Sequence, residues 1–97
     1  MSYTLHPGAE RDIDEALDFY TEQAGLVVAG RFLEEFGRVV ELLQVHPGLG
    51  TPTTQGRQIF PLRIFPYSVV YRDEGNNIRI VIVRHQRKKP AFGSSRR

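Results

Sequence analysis

The sequence predicts an α/β domain of the α+β type, with two N-terminal helices packed on a mainly antiparallel sheet that ends in a three-strand meander. Two observations predict the halves. Apolar residues recur at helical spacing from Ala9 to Leu43, and β-branched and aromatic residues then dominate three runs between Arg57 and His85. A third is the position of the breakers: Gly25 divides the two helical stripes, and Pro47-Gly48-Leu49-Gly50 separates helices from strands.

Ser2-Tyr3-Thr4-Leu5-His6 alternates apolar and polar side chains and stops at Pro7-Gly8, which reads as a short strand feeding a helix with Pro in its first turn. In that helix Ala9, Ile13, Ala16, Leu17 and Tyr20 form the apolar stripe. Glu10, Asp12, Asp14, Glu15 and Asp18 gather toward its start, where negative charge suits the helix dipole. After Gly25 a longer helix places Val28, Phe32, Phe36, Val39, Val40 and Leu43 on one side and Arg31, Glu34, Glu35, Arg38 and Glu41 on the other, and it ends near His46.

Thr51 to Gly56 reads as a polar loop. The strands that follow are expected at Arg57 to Phe65, Tyr67 to Arg72 and Ile78 to His85, broken by Pro66 and by the turn Asp73-Glu74-Gly75-Asn76-Asn77. Connections this short make antiparallel neighbours. Ile78 to Val83 is apolar on both faces, so a central strand is expected, with the helices over one face and a partner or the chain's own tail over the other.

A chain of 97 residues fits one domain, here residues 1–92, followed by a flexible basic tail at 93–97. It has no cysteine, and no apolar run approaches the roughly 20 residues that span a bilayer, so a cytoplasmic protein without disulfides and without a membrane segment is expected. The net charge of +2 hides a split. Residues 1–50 hold three Arg against nine acids, net −6, and residues 51–97 hold ten Lys or Arg against two acids, net +8. Arg84-His85-Gln86-Arg87-Lys88-Lys89 and Arg96-Arg97 concentrate that charge at the end. Arg outnumbers Lys eleven to two, and the planar guanidinium fork fits phosphate and carboxylate. An anionic partner is therefore expected at the basic end, although Lys and Arg there also serve to keep a sheet edge soluble.

Catalytic patterns are nearly absent. No serine stands in a Gly-x-Ser-x-Gly context, there is no phosphate loop or dinucleotide glycine pattern, and no cofactor is expected. His6, His46 and His85 lack ligand spacing, so no metal site is expected. His6 and His46 flank helix ends and read as structural. His85, beside Arg84 and Arg87, is a candidate for proton transfer or for a simple hydrogen bond to a carbonyl.

Five segments taken in order carry a family resemblance. They are Ala9 to Tyr20 with its acidic face, Ala29-Gly30-Arg31-Phe32, His46 to Pro52, Phe65-Pro66-Tyr67-Ser68-Val69-Val70-Tyr71-Arg72, and Val83 to Pro90. With these the chain resembles the RelE/ParE superfamily of toxins from bacterial type II toxin-antitoxin pairs, over nearly its full length. The resemblance implies the helix-pair-on-sheet fold and a cognate antitoxin whose C-terminal segment wraps the toxin. A homodimer or a toxin-antitoxin hetero-oligomer is left open, because a face such as Phe32, Phe36 and Val40 packs equally well on a sheet or on a second copy.

One branch of the superfamily cleaves ribosome-bound mRNA, and the other poisons DNA gyrase without hydrolysing anything. The RNase branch resembles RelE in two lysines on the first meander strand, an arginine before the second-strand Leu-Val-Tyr, an arginine after the last strand and a tyrosine near the C-terminus. The corresponding places here hold Ile59, Pro61, Ser68, Gln86 and Phe92. Ile, Pro and Phe can neither take a proton nor hold phosphorane charge. The resemblance thus points to a ParE-like gyrase inhibitor of plasmid-stabilisation type, whose target contacts would be Arg63, Arg84, His85, Arg87 and Lys88. The alternative is a ribosome-dependent endoribonuclease with Arg63, His85 and Arg87 as its catalytic set, and an inactive, purely interacting relative is a third class.

Overall fold

A computed structural model describes all 97 residues. The chain runs β1 (Ser2–Leu5), α1 (Pro7–Ala24), α2 (Leu26–Val45), β2 (Thr51–Pro52), one 3-10 turn (Thr54–Gly56), β3 (Gln58–Pro61), β4 (Tyr67–Asp73) and β5 (Asn77–His85). The strands form a single sheet in the order β1-β5-β4-β3-β2. β1 lies parallel to β5, and the other pairs are antiparallel.

α1 begins where His6 and Pro7 allow it. The His6 Nδ1 accepts the Gly8 N–H at 2.9 Å, and Pro7 sits at a position whose missing N–H costs nothing. Gly25, at φ 89°, ends α1 and admits α2 at the next residue, so the two helices fold back with a single residue between them. Their apolar stripes meet the sheet. Ala9, Ile13 and Ala16 of α1 and Phe32, Phe36, Val39, Val40 and Leu43 of α2 are buried with Val69, Tyr71, Ile78, Ile80 and Val83. Phe32 stands edge-on to Phe65 at 5.3 Å and to Tyr67 at 5.1 Å. Phe32, Phe36 and Val40 are therefore spent on the chain's own core.

Tyr71 ties the end of α2 to the sheet. Its hydroxyl donates to the Pro47 carbonyl at 2.7 Å and accepts the Gly50 N–H at 2.9 Å. A Cβ on residue 50 would stand 2.6 Å from that hydroxyl, so the close approach requires glycine there.

The meander departs from expectation at its first strand. β3 covers only Gln58–Pro61, and residues 62–66 leave the sheet as a loop with Ile64 at φ 72°. Thr51 and Pro52, within the expected polar loop, instead pair with Ile59 and Gln58 as an edge strand.

The outer face of the sheet carries a second apolar cluster of Val70, Val81 and Ile82, against which Ile59 and Phe92 pack. The cover on that face thus comes from the chain's own C-terminal segment. Residues 93–97, expected as a flexible tail, are held by the fold for a reason that lies in β5. β1 pairs only with Asn77–Ile80, which leaves the end of β5 without a strand on that side. Asp12 of α1 accepts the Val83 N–H at 3.0 Å, and Arg96 Nη1 donates to the Val81 carbonyl at 3.2 Å. Arg57 holds the tail from below, donating to the Gly93 carbonyl at 3.1 Å and to the Arg96 carbonyl. Gln55 donates to Ser94 O at 2.9 Å.

Candidate functional site

The layout of the predicted site follows from strand alternation in β5. Val83 belongs to the core under the helices and Ile82 to the outer cluster. His85 therefore falls on the helix side of the sheet and Arg84 on the outer side. Two residues placed together by sequence proximity lie on opposite faces.

On the helix side, His85, Arg87 and Lys88 line one cavity of about 400 Å³ with Glu15, Phe19 and Tyr67. The His85 Nδ1 accepts the Arg87 N–H at 3.0 Å, which fixes the ring and leaves Nε2 as its free nitrogen. The imidazole stands edge-on to the Tyr67 ring at 5.1 Å. Burial first, and then the negative charge of Glu15, pushes the Tyr67 hydroxyl above its ordinary pKa, so it stays protonated. Lys88 lies 5.0 Å and Arg96 4.9 Å from the centre of the Phe92 ring, so that one aromatic positions a cation of the cluster and a cation of the tail.

Asp12 lines the same cavity, but its carboxylate is taken up by Arg96 and by the Val83 N–H. No carboxylate is hydrogen-bonded to His85 to hold it as a general base. No group of three His, Asp or Glu side chains is placed to hold a metal ion. The cleft offers cations, aromatic surface and hydrogen-bond donors beside one further carboxylate, that of Glu15, which is bonded neither to His85 nor to a cation, and this is the chemistry of contact with an anionic or mixed surface.

Arg63 stands elsewhere. It lines a different cavity, against α2, with Arg31, Glu35, Arg38 and Ile64. Glu35 organises that corner. It takes Arg38 through both oxygens, at 2.7 and 2.8 Å, and accepts the Arg63 N–H at 2.6 Å. Those donors, the Arg38 fork first, hold its carboxyl below the usual carboxylate range. Beside Arg63, Ile64 is 97% exposed and in the left-handed region, a conformation that β-branched residues rarely adopt. Nothing in the sequence marked Ile64, because a positive φ at a β-branched residue has no local signature.

Arg84 lies on the outer face, where Arg72 and Arg79 stand opposite each other across β4 and β5 and Arg57 is buried beneath the tail. Of the five predicted contact residues, the fold thus brings three together, His85, Arg87 and Lys88. It sets Arg84 behind them and Arg63 at a separate corner.

The family profile described as "ParE toxin of type II toxin-antitoxin system, parDE" matches residues 3–90. No curated protein matches the chain. Among solved structures, "Chromosomal ParDE TA system from P. aeruginosa" has a chain that superposes with a TM-score of 0.76 at 25% identity, covering 88% of this chain and 95% of that one.

Proposed function

The chain belongs to the family of ParE toxins of type II toxin-antitoxin systems, and from that premise we propose that it inhibits DNA gyrase by binding, without hydrolysing a substrate. The observation that supports this reading is the dispersal of the basic residues. His85, Arg87 and Lys88 share a cleft with no carboxylate bonded to the imidazole, Arg84 faces the other side, and Arg63 lines a separate cavity. Transester cleavage of RNA requires a base, an acid and cations converging on one phosphate, whereas a protein-protein contact uses an extended surface. In this reading Arg87 and Lys88, both exposed, meet the target first, with His85 and Arg84 at the margins of the contact and Arg63 extending it toward α2.

A cognate antitoxin neutralises the toxin, with acidic residues opposite the arginine-rich half and apolar residues over the exposed side chains of the helix pair, among them Phe19, Leu26, Val27 and Leu33. No helix is long and apolar enough to cross a membrane, and the place of action is the cytoplasm, where gyrase works.

The test is a supercoiling assay with purified gyrase and relaxed plasmid. Wild-type protein is expected to block supercoiling, and the variant carrying Arg87→Ala and Lys88→Ala is expected to lose that effect. Inhibition undiminished in the double variant removes the basic cleft from the mechanism, and no inhibition by the wild type removes gyrase as the target.

A further inference from the structure

The outer face of the sheet holds a feature that target binding on the helix side leaves unexplained. Arg57 is 5% exposed and Arg84 is half-buried, and the Nε of each is buried and bonded to no protein atom. Both side chains line the same cavity of about 50 Å³, beside Val70, Ile82 and Ser94. Each Nη atom of Arg57 already donates to a carbonyl, of Gly93 and of Arg96, whereas its Nε–H, buried in the same place, donates to nothing. A guanidinium has donors only, and an acceptor must come from elsewhere.

Charge narrows the kind of acceptor. No acidic residue lines this cavity or the adjoining cleft of Arg57, Arg72, Arg96 and Arg97. Arg96 is paired with Asp12 and Arg72 lies 3.8 Å from Glu74, but Arg57 and Arg84 have no ion-pair partner of their own, and burial, followed by the nearby Arg72 and Arg96, lowers the pKa of Arg57. A neutral water satisfies a donor but not an unpaired positive charge, whereas an oxyanion does both.

We propose that Arg57 and Arg84 form an oxyanion niche on the outer face of the sheet, which takes one carboxylate or one phosphate group between their Nε–H donors. The small volume admits the charged end of a ligand and leaves its remainder on the arginine-lined surface outside. The niche is independent of whether gyrase is the target.

The test is an NMR titration of the arginine Nε–H signals in the full chain with sodium acetate and, separately, with sodium phosphate. Sodium chloride at equal ionic strength is the control. The Arg57 and Arg84 signals are expected to shift together and to saturate with acetate, with phosphate or with both, and the effective salt identifies the oxyanion. Arg84→Gln is expected to weaken the effect at Arg57 roughly tenfold, the loss of one charge-assisted hydrogen bond, and Arg87→Gln to leave it unchanged. Signals that stay still, or that move equally in chloride, overturn the proposal, as does full binding by a folded Arg84→Gln protein. Should the backbone spectrum show that Arg84→Gln is unfolded, the wild-type titration alone decides.

Discussion

Asp12 and Arg96, 84 positions apart in the chain, meet through both guanidinium Nη atoms at 2.5 and 3.1 Å. Their side chains are only 6% and 15% exposed, and between them they occupy the Val83 N–H and the Val81 carbonyl at the uncovered end of β5. The contact closes the sheet where β1 is too short to do so. Removing one partner strands the other as a buried charge. Asp12→Ala is therefore expected to lower the unfolding free energy by about 3 kcal/mol in urea titration, and Arg96→Ala to do so as well. A loss below about 0.5 kcal/mol, the range of an exposed pair, would contradict the structural role given to this contact.

The Tyr71 hydroxyl offers a smaller and cleaner deletion. Tyr71→Phe keeps the ring in the core but leaves the Pro47 carbonyl and the Gly50 N–H without their partner. A cost of about 1–3 kcal/mol is expected in the same titration. Gly50→Ala should be worse, because its methyl group overlaps both the Tyr71 hydroxyl and its ring. A Tyr71→Phe protein as stable as wild type would show that the turn after α2 does not depend on that hydroxyl.

His6 makes stability depend on pH in a fixed direction. Only an unprotonated Nδ1 can accept the Gly8 N–H, and burial, followed by repulsion from Arg79, Arg96, Arg11 and Arg57, holds its pKa below the ordinary 6.5. Below 6.5 the unfolded chain binds a proton that the folded chain resists. The His6 contribution is thus complete above that value and is lost as pH falls through the lowered folded one. Between about pH 7.5 and about pH 5 the wild type should lose more stability than His6→Asn, whose side-chain oxygen caps the helix at either pH. Equal losses in the two proteins would remove His6 as the cause.

Ile64 stores backbone strain at the tip of the loop that Glu35 pins. Because the side chain is almost wholly exposed, Ile64→Asn gives up little burial and relieves the left-handed conformation. A gain of about 1 kcal/mol is expected from thermal or urea unfolding. Destabilisation by the substitution would mean that the isoleucine packs on something its exposure does not reveal.

The helix pair was legible because its signals are local. The apolar stripes of α1 and α2, the Pro7 start and the Gly25 stop each act within a few residues, and His6 was read as structural from its place at a helix end. The meander was legible in number but not in extent. β3 looked continuous from Arg57 to Phe65, since the positive φ of Ile64 that takes the chain out of the sheet leaves no trace in residue type. The candidate site was partly legible. Arg87, Lys88 and His85 come together as their proximity implies, whereas the period of two along β5 puts Arg84 on the face opposite His85. Tertiary pairing was not legible at all. Neither Asp12 within an acidic helix nor Arg96 within a basic tail announces the other, and the tail read as loose because its anchor lies at the opposite end of the chain.

The toxin is proposed to act by contact and not by cleavage. The most direct test is to induce the chain in a bacterial host without an antitoxin and to follow plasmid topology and transcript integrity in the same culture. Growth arrest with altered supercoiling and intact transcripts is the predicted result. Arrest with cut mRNA and unchanged topology would contradict action by contact and make the cleft of His85, Arg87 and Lys88 a nuclease site.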